Sequence, residues 1–157
     1  MTHIFRVDDR LIHGQVVVGW CKRLNLNAII VVNDEVANDP LQKDLMNLAV
    51  PKGVKSFFFT IDECVKKLKS SEIDNYDYIL LVNSSSDALS LVERGIIMNE
   101  LNIGGLHYKS HKTQYSSSLF LDDKDIENIK KIMSHFVKIN TQPLPDDVKI
   151  DIKKIIG

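Results

Sequence analysis

The chain has 157 residues, which fits one domain; two would each have a thin core. With 20 basic and 21 acidic residues its formal net charge is -1, so it projects no global field toward nucleic acid or an anionic membrane. No apolar run is long enough to span a bilayer, and the start shows no secretory pattern. Cys21 and Cys64 form no C-x-x-C pair and sit in helical patterns, as small core residues of a reduced, intracellular protein do. These features together lead to the expectation of a cytoplasmic protein.

Apolar runs and helical patterns alternate along the chain. His3 to Val7 reads as a first strand. Gly14 to Leu24 reads as a helix with Val17, Trp20, Cys21 and Leu24 inward. Ala28 to Val32 is a continuous β-branched run of the kind covered on both faces in a parallel sheet. Asn38-Asp39-Pro40 opens a helix with Leu41, Leu45, Leu48 and Ala49 as its apolar face, ended by Pro51 and Gly53. Val54 to Phe59 is a third strand, and Thr60-x-x-Glu63 is a capping box for the next helix. Tyr78 to Val82 is a fourth strand, Ser85 to Glu93 a helix capped by Ser85 or Ser86, and Leu101 to Ile103 a fifth strand stopped by Gly104-Gly105.

Beyond that point simple alternation ends. Leu106 to Thr113 reads as a polar loop, Ser117 to Leu121 as a short strand, and Asp122 or Asp123 as the cap of a helix carrying Ile126, Ile129 and Met133. Phe136 to Ile139 is read as a last strand, and Pro145-Asp146 as the opening of a terminal helix with Val148, Ile152, Ile155 and Ile156 on one face. The pattern implies an α/β fold: an open, doubly wound, mostly parallel sheet with helices on both faces, forming a single domain over 1–157. Ligands in such sheets sit beyond the carboxyl ends of the strands, which directs attention to loops 8–13, 33–38, 83–86 and 104–114.

The first of these loops carries the chemistry. His13 lies just before the helical pattern, where a neutral imidazole is a nucleophile near pH 7. A phosphoryl group on it would meet unpaired backbone N–H groups at Gly14 and Gln15. Arg10 and Arg6 could pair with phosphate oxygens in a fork, and Asp8 or Asp9 could fix the imidazole tautomer. The residue types alone better describe a solvated loop with local ion pairs and no chemistry. Ser84, after strand four, reads as part of a capping segment whose hydroxyls could bond phosphate. Lys109, His111 or Lys112 could offer cationic contact. His107 and His111 have zinc-like spacing but no evident third ligand, so no metal site is assigned. His3, His135 and Trp20 read as structural.

The stretch Arg6-Val7-Asp8-Asp9-Arg10-Leu11-Ile12-His13-Gly14-Gln15-Val16 resembles the active-centre signature of the IIB subunit of the mannose/fructose/sorbose family of the bacterial phosphoenolpyruvate-dependent sugar phosphotransferase system. Ile29 to Ala37, Leu101 to Gly105, Lys112-Thr113-Gln114 and Asp123-x-Asp125-Ile126 extend the resemblance over nearly the whole chain. The resemblance implies a relay. A IIA phosphohistidine donates to His13, and His13 then phosphorylates a sugar carried through membrane-embedded IIC and IID subunits. It implies phosphate on Nδ1, with Nε2 the nitrogen to be held, Arg10 as the phosphate-stabilising group, Arg6 and Asp8 in support, and no magnesium or other cofactor. It also implies peripheral association with the membrane transporter. The family's membrane subunits largely choose the sugar, so no residue here is read as specificity. A homodimer is left open.

The Leu106 to His111 stretch and the Pro143-Leu144-Pro145 connection depart from the family pattern. Two rival functions stay alongside the relay: a non-catalytic domain binding a nucleotide or sugar phosphate at the same helix end, and a regulator of transport genes on the same fold.

Overall fold

The computed structural model describes residues 1–157. Strands β1 (His3–Asp8), β2 (Ala28–Val32), β3 (Lys55–Phe59), β4 (Tyr78–Val82), β5 (Glu100–Gly105) and β8 (Lys138–Thr141) form one parallel sheet in the order β3-β2-β4-β1-β5-β8. β9 (Ile150–Asp151) closes the edge antiparallel to β8. A separate hairpin joins β6 (Thr113–Ser116) to β7 (Leu119–Leu121). β1 lies between β4 and β5 at the point where the winding direction changes, so the loops after these strands diverge around a crevice.

Alternation along the strands divides the interior. Ala28, Ile30, Val32, Leu80 and Val82 face a core of 28 buried residues under helices α3 (Ile61–Lys69), α4 (Ser85–Glu93) and α5 (Asp123–Met133). Ile29, Val31, Ile79 and Leu81 face a thinner layer of 12, covered by the segment Leu11–Cys21 and by α1 (Asp34–Ala37).

The helix after β1 departs from expectation in its winding. Gln15–Lys22 is a π-helix, and the Leu26 N–H continues to the Cys21 carbonyl at 2.9 Å. Its buried positions are Val16, Val17, Trp20 and Cys21, while Leu24 lies past its end and is partly exposed. Such winding is rare and recurs at functional sites.

Other expectations change for identifiable reasons. Helix α2 (Pro40–Asn47) buries nothing: Leu41, Leu45 and Leu48 point to solvent. The strand at 101–103 is not stopped by glycine but runs through Gly104 and Gly105, with a register shift opposite Val7 and Asp8. Ser84, not Ser85 or Ser86, caps α4. Phe136 is a left-handed, exposed turn residue (φ 65°), so the last parallel strand begins later, at Lys138. Pro145-Asp146 opens no helix; residues 142–149 form an irregular strap before β9, and only Lys153–Ile156 is helical (α6).

Candidate functional site

Ile4, Arg6 and Asp8 alternate on one face of β1, toward the π-helix. Arg6 is wholly buried. Its Nη1 donates to Asn102 Oδ1 and, at 2.9 Å, to the Gln142 carbonyl. Its Nη2 reaches Asp8 Oδ2 at 3.4 Å, Gln15 Oε1 at 3.2 Å and the Pro143 carbonyl at 3.2 Å. Only Nε lacks an acceptor. The Trp20 ring lies 4.8 Å from the guanidinium carbon, and the Trp20 indole N–H donates to the Pro143 carbonyl at 2.9 Å. A Cβ at Gly104 would stand 1.8 Å from Arg6 Cζ, so the bulged glycine supplies the space the guanidinium fills. Burial lowers the Arg6 pKa to about 10, against the opposing pull of Asp8. This corrects the expectation that Arg6 binds phosphate: both terminal nitrogens are occupied by acceptors of the chain and no surface of it reaches solvent.

Asp8, also wholly buried, is shared three ways. Oδ2 lies 2.9 Å from His13 Nε2 and 3.4 Å from Arg6 Nη2. Oδ1 accepts from the Arg10 backbone N–H at 3.2 Å and lies 3.7 Å from Arg10 Nε. Burial pushes its carboxyl upward, but the His13 hydrogen bond and charge, the Arg10 N–H and the Arg6 cation together hold it below the ordinary aspartate value. An ionised carboxylate only accepts, so the proton of a neutral His13 resides on Nε2 and Nδ1 keeps its lone pair. The imidazole is 14% exposed, and no group of the chain bonds Nδ1.

The loop reaches this geometry through a left-handed Leu11 (φ 58°), whose N–H returns to the Asp8 carbonyl at 3.0 Å and whose side chain is buried with Ile12, Val16 and Val17. Such a conformation in a bulky residue costs about 1–3 kcal/mol and persists only where packing enforces it. Gly14 is the helix cap, without a side-chain partner, and the backbone N–H groups of Gly14, Gln15 and Val16 donate to nothing within the chain. The Gln15 side chain is turned inward onto Arg6.

Beside the loop that carries His13, a polar cavity opens between the strand ends. Asp9 and Arg10 after β1, Asn83 and Ser84 after β4, and His107 and Lys109 after β5 line an open cavity of about 460 Å³. Asp9 Oδ1 lies 2.7 Å from His107 Nδ1, and Asp9 Oδ2 accepts the His107 N–H at 2.7 Å. Ser84 accepts from the Asp87 N–H at 3.1 Å. Lys112 does not line this cavity. It pairs with Asp125 at 2.9 Å, and Asp125 in turn accepts from Ser85 at 2.7 Å, a bond that ties the starts of α4 and α5 together. His111 faces Asp122 at 3.1 Å, and thus the two histidines of the 104–114 loop diverge to different carboxylates. A larger cavity of about 550 Å³ lies at the far end of the sheet, by Glu100 and Lys138, remote from the loop.

Sequence reasoning missed the buried ladder behind Arg6. Asn102 donates to Asn140 Oδ1 at 2.7 Å on neighbouring strands, and Gln142 Nε2 holds the strap through the carbonyls of Pro145 (3.0 Å) and Asp147 (2.8 Å). Asn102 inside the strand-like run Leu101–Ile103 was the available signal; Asn140 lay just past the run read as ending at Ile139, which the structure extends to Thr141. The Asp9–His107 pair left no such trace, because nothing in the spacing joins positions so far apart.

The chain is thus an α/β protein with a histidine held by a buried carboxylate at the switch point of a parallel sheet, beside helix-start amides that have no partner in the chain. Residues 2–157 match the model of the PTS system sorbose subfamily IIB component, and the chain belongs to that family of phosphotransferase-system proteins. It is 33% identical over 152 residues to the mannose-specific EIIAB component of Escherichia coli K12; the match covers 97% of this chain and 47% of that protein, so the chain spans about half of this relative. It is 31% identical to the fructose-specific EIIB component of Bacillus subtilis, over 96% of this chain and 93% of the relative. The crystal structure of the IIBSor domain of the sorbose permease from Klebsiella pneumoniae superposes with a TM-score of 0.91 at 30% identity, covering 99% of this chain and 96% of that one.

Proposed function

We propose that residues 1–157 form one phosphocarrier domain in which His13 Nδ1 accepts a phosphoryl group from a IIA phosphohistidine and passes it to a sugar carried by membrane IIC and IID subunits. The observation that carries this reading is the 2.9 Å contact between Asp8 and His13 Nε2, which leaves Nδ1 as the free nucleophile. In the accepting step the Nδ1 lone pair bonds to phosphorus, the donor P–N bond breaks, and its electron pair stays on the donor imidazole. Nε2 keeps its proton throughout, held on Asp8. Positioning and charge stabilisation dominate such a transfer. Arg10, 49% exposed and facing the cavity, supplies the cation, and the Gly14 and Gln15 amides supply fixed donors. Ser84, at the same rim, adds a hydroxyl. The mannose-specific relative joins a IIA part to its IIB part by name, which supports a IIA donor here.

The test is phosphotransfer on the intact chain. With phosphoenolpyruvate, the general relay proteins and IIA, its mass should rise by one phosphoryl group, the label should be lost in acid, and mapping should place it on His13. His13→Ala should fold and take no label. A labelled His13→Ala protein overturns the reading, and reversible binding of a sugar phosphate with no mass gain supports the regulatory alternative.

A further inference from the structure

The relay reading uses Asp8, Arg10 and His13 and leaves a second carboxylate–imidazole pair without a role. Asp9 lies 2.7 Å from His107 Nδ1. A carboxylate only accepts, so a neutral His107 carries its proton on Nδ1 and presents a lone pair on Nε2. No group of the chain bonds that Nε2, and the ring is 40% exposed at the cavity. Gly105 permits the arrangement: a Cβ there would stand 2.8 Å from His107 Cε1 and 3.5 Å from Asp8 Oδ1. The His107 ring and the Asp8 carboxylate therefore gather over the same bare stretch of backbone. Two imidazoles are held by adjoining carboxylates with opposite nitrogens free, Nδ1 at His13 and Nε2 at His107.

The cavity between the loops has no hydrophobic lining residue. Small-molecule pockets that bind tightly are mostly apolar, so this one suits a ligand held chiefly elsewhere that inserts a polar edge. Asn83 makes no hydrogen bond within the chain, and the Ser84 hydroxyl oxygen is engaged only by the Asp87 N–H. Both are available to hydroxyl groups.

Transfer from phosphohistidine to a hydroxyl requires something that transfer between two imidazoles does not: a group to take the hydroxyl proton. We propose that His107 is that general base, and that the cavity admits the hydroxyl-bearing edge of the acceptor sugar; this rests on the phosphohistidine reading above. The acceptor oxygen bonds to phosphorus and the P–Nδ1 bond breaks, its electron pair returning to His13. The hydroxyl proton moves to His107 Nε2. Asp9 stabilises the imidazolium so formed, which then releases its proton to water.

The two half-reactions separate this role from a structural one. Acceptance is timed from phosphorylated IIA to the full chain. Donation is timed from the isolated phospho-form to sugar in membranes containing IIC and IID. His107→Gln should accept at the wild-type rate, which also shows that it folds, and should donate about 10²-fold more slowly or worse. Asp9→Asn should shift the same ratio in the same direction by less. Donation at the wild-type rate by His107→Gln overturns the proposal. So does equal slowing of both steps, which would make the pair a clamp on the loop. A wild-type chain that takes no label overturns the phosphohistidine reading and this inference with it, a result separable from the other two.

Discussion

Arg6 and Arg10 approach one carboxylate from opposite sides and end in opposite environments. Arg6 is wholly buried and surrounded by fixed acceptors; Arg10 is 49% exposed and touches Asp8 Oδ1 from the cavity. The difference comes from the strand. Position 6 lies inside β1 and alternates into the layer beneath Trp20, whereas position 10 lies past the strand end, in the turn before Leu11. Identical side chains thus end differently: one fixes the carboxylate that holds His13, and the other stays exposed at the cavity, where the proposed relay has it meet phosphate.

The sharpest way to break this division is to remove Arg6. Arg6→Ala leaves Asp8 buried without its cation and should destabilise the fold by about 3–5 kcal/mol, read by urea denaturation. A loss below about 1 kcal/mol, the range of an exposed pair, would mean that Arg6 is no different from a surface arginine. Next comes Arg10→Ala. It should slow phosphoryl acceptance by about 10²–10³-fold, as loss of an aimed charge-stabilising donor does, while stability moves by no more than about 0.5 kcal/mol. Unaltered acceptance by Arg10→Ala would remove the functional half of the contrast. Gly104→Ala should cost about 1–3 kcal/mol, because its Cβ enters the Arg6 guanidinium space, and a melt matching the wild type would show that Arg6 can move aside.

The smallest effect is acid dependence. The folded-state pKa of Asp8 lies below its unfolded value, and Asp122 is held low by the Asp125 backbone N–H. The unfolded chain therefore binds more protons in the acid range. The stabilisation is complete above about pH 4, near the ordinary carboxylate pKa, and is lost as pH falls through the folded values. The melting temperature should fall with acid in that window, with a shallower slope in Asp8→Asn. Parallel slopes would show that Asp8 carries no net linkage.

The sheet was legible because its central strands are continuous apolar runs, such as Ala28–Val32 and Tyr78–Val82, and because caps such as Thr60 and Asp122 satisfy helix-start amides with local residues. Where tertiary contacts decide, the sequence misleads. The leucines of α2 have helical spacing and still face water. Val148 and the isoleucines after it have helical spacing as well, but Gln142 and β8 draw that segment into a strap and a short strand. At the site, the loop motif located His13 and its neighbours. It could not distinguish the buried arginine from the free one, nor foresee that Lys112 would be taken by Asp125.

The Arg6–Asp8 contact also sets what an incoming anion encounters. Asp8 would otherwise repel a phosphoryl dianion arriving on the far side of the His13 ring, but its charge is balanced from behind by a cation that solvent ions cannot reach. Added salt screens the exposed cations of the cavity, Arg10 and Lys109, and leaves the buried pair nearly untouched. For the proposed relay, ionic strength would then be a selective dial, turning down the attraction for phosphate while preserving the grip on the imidazole.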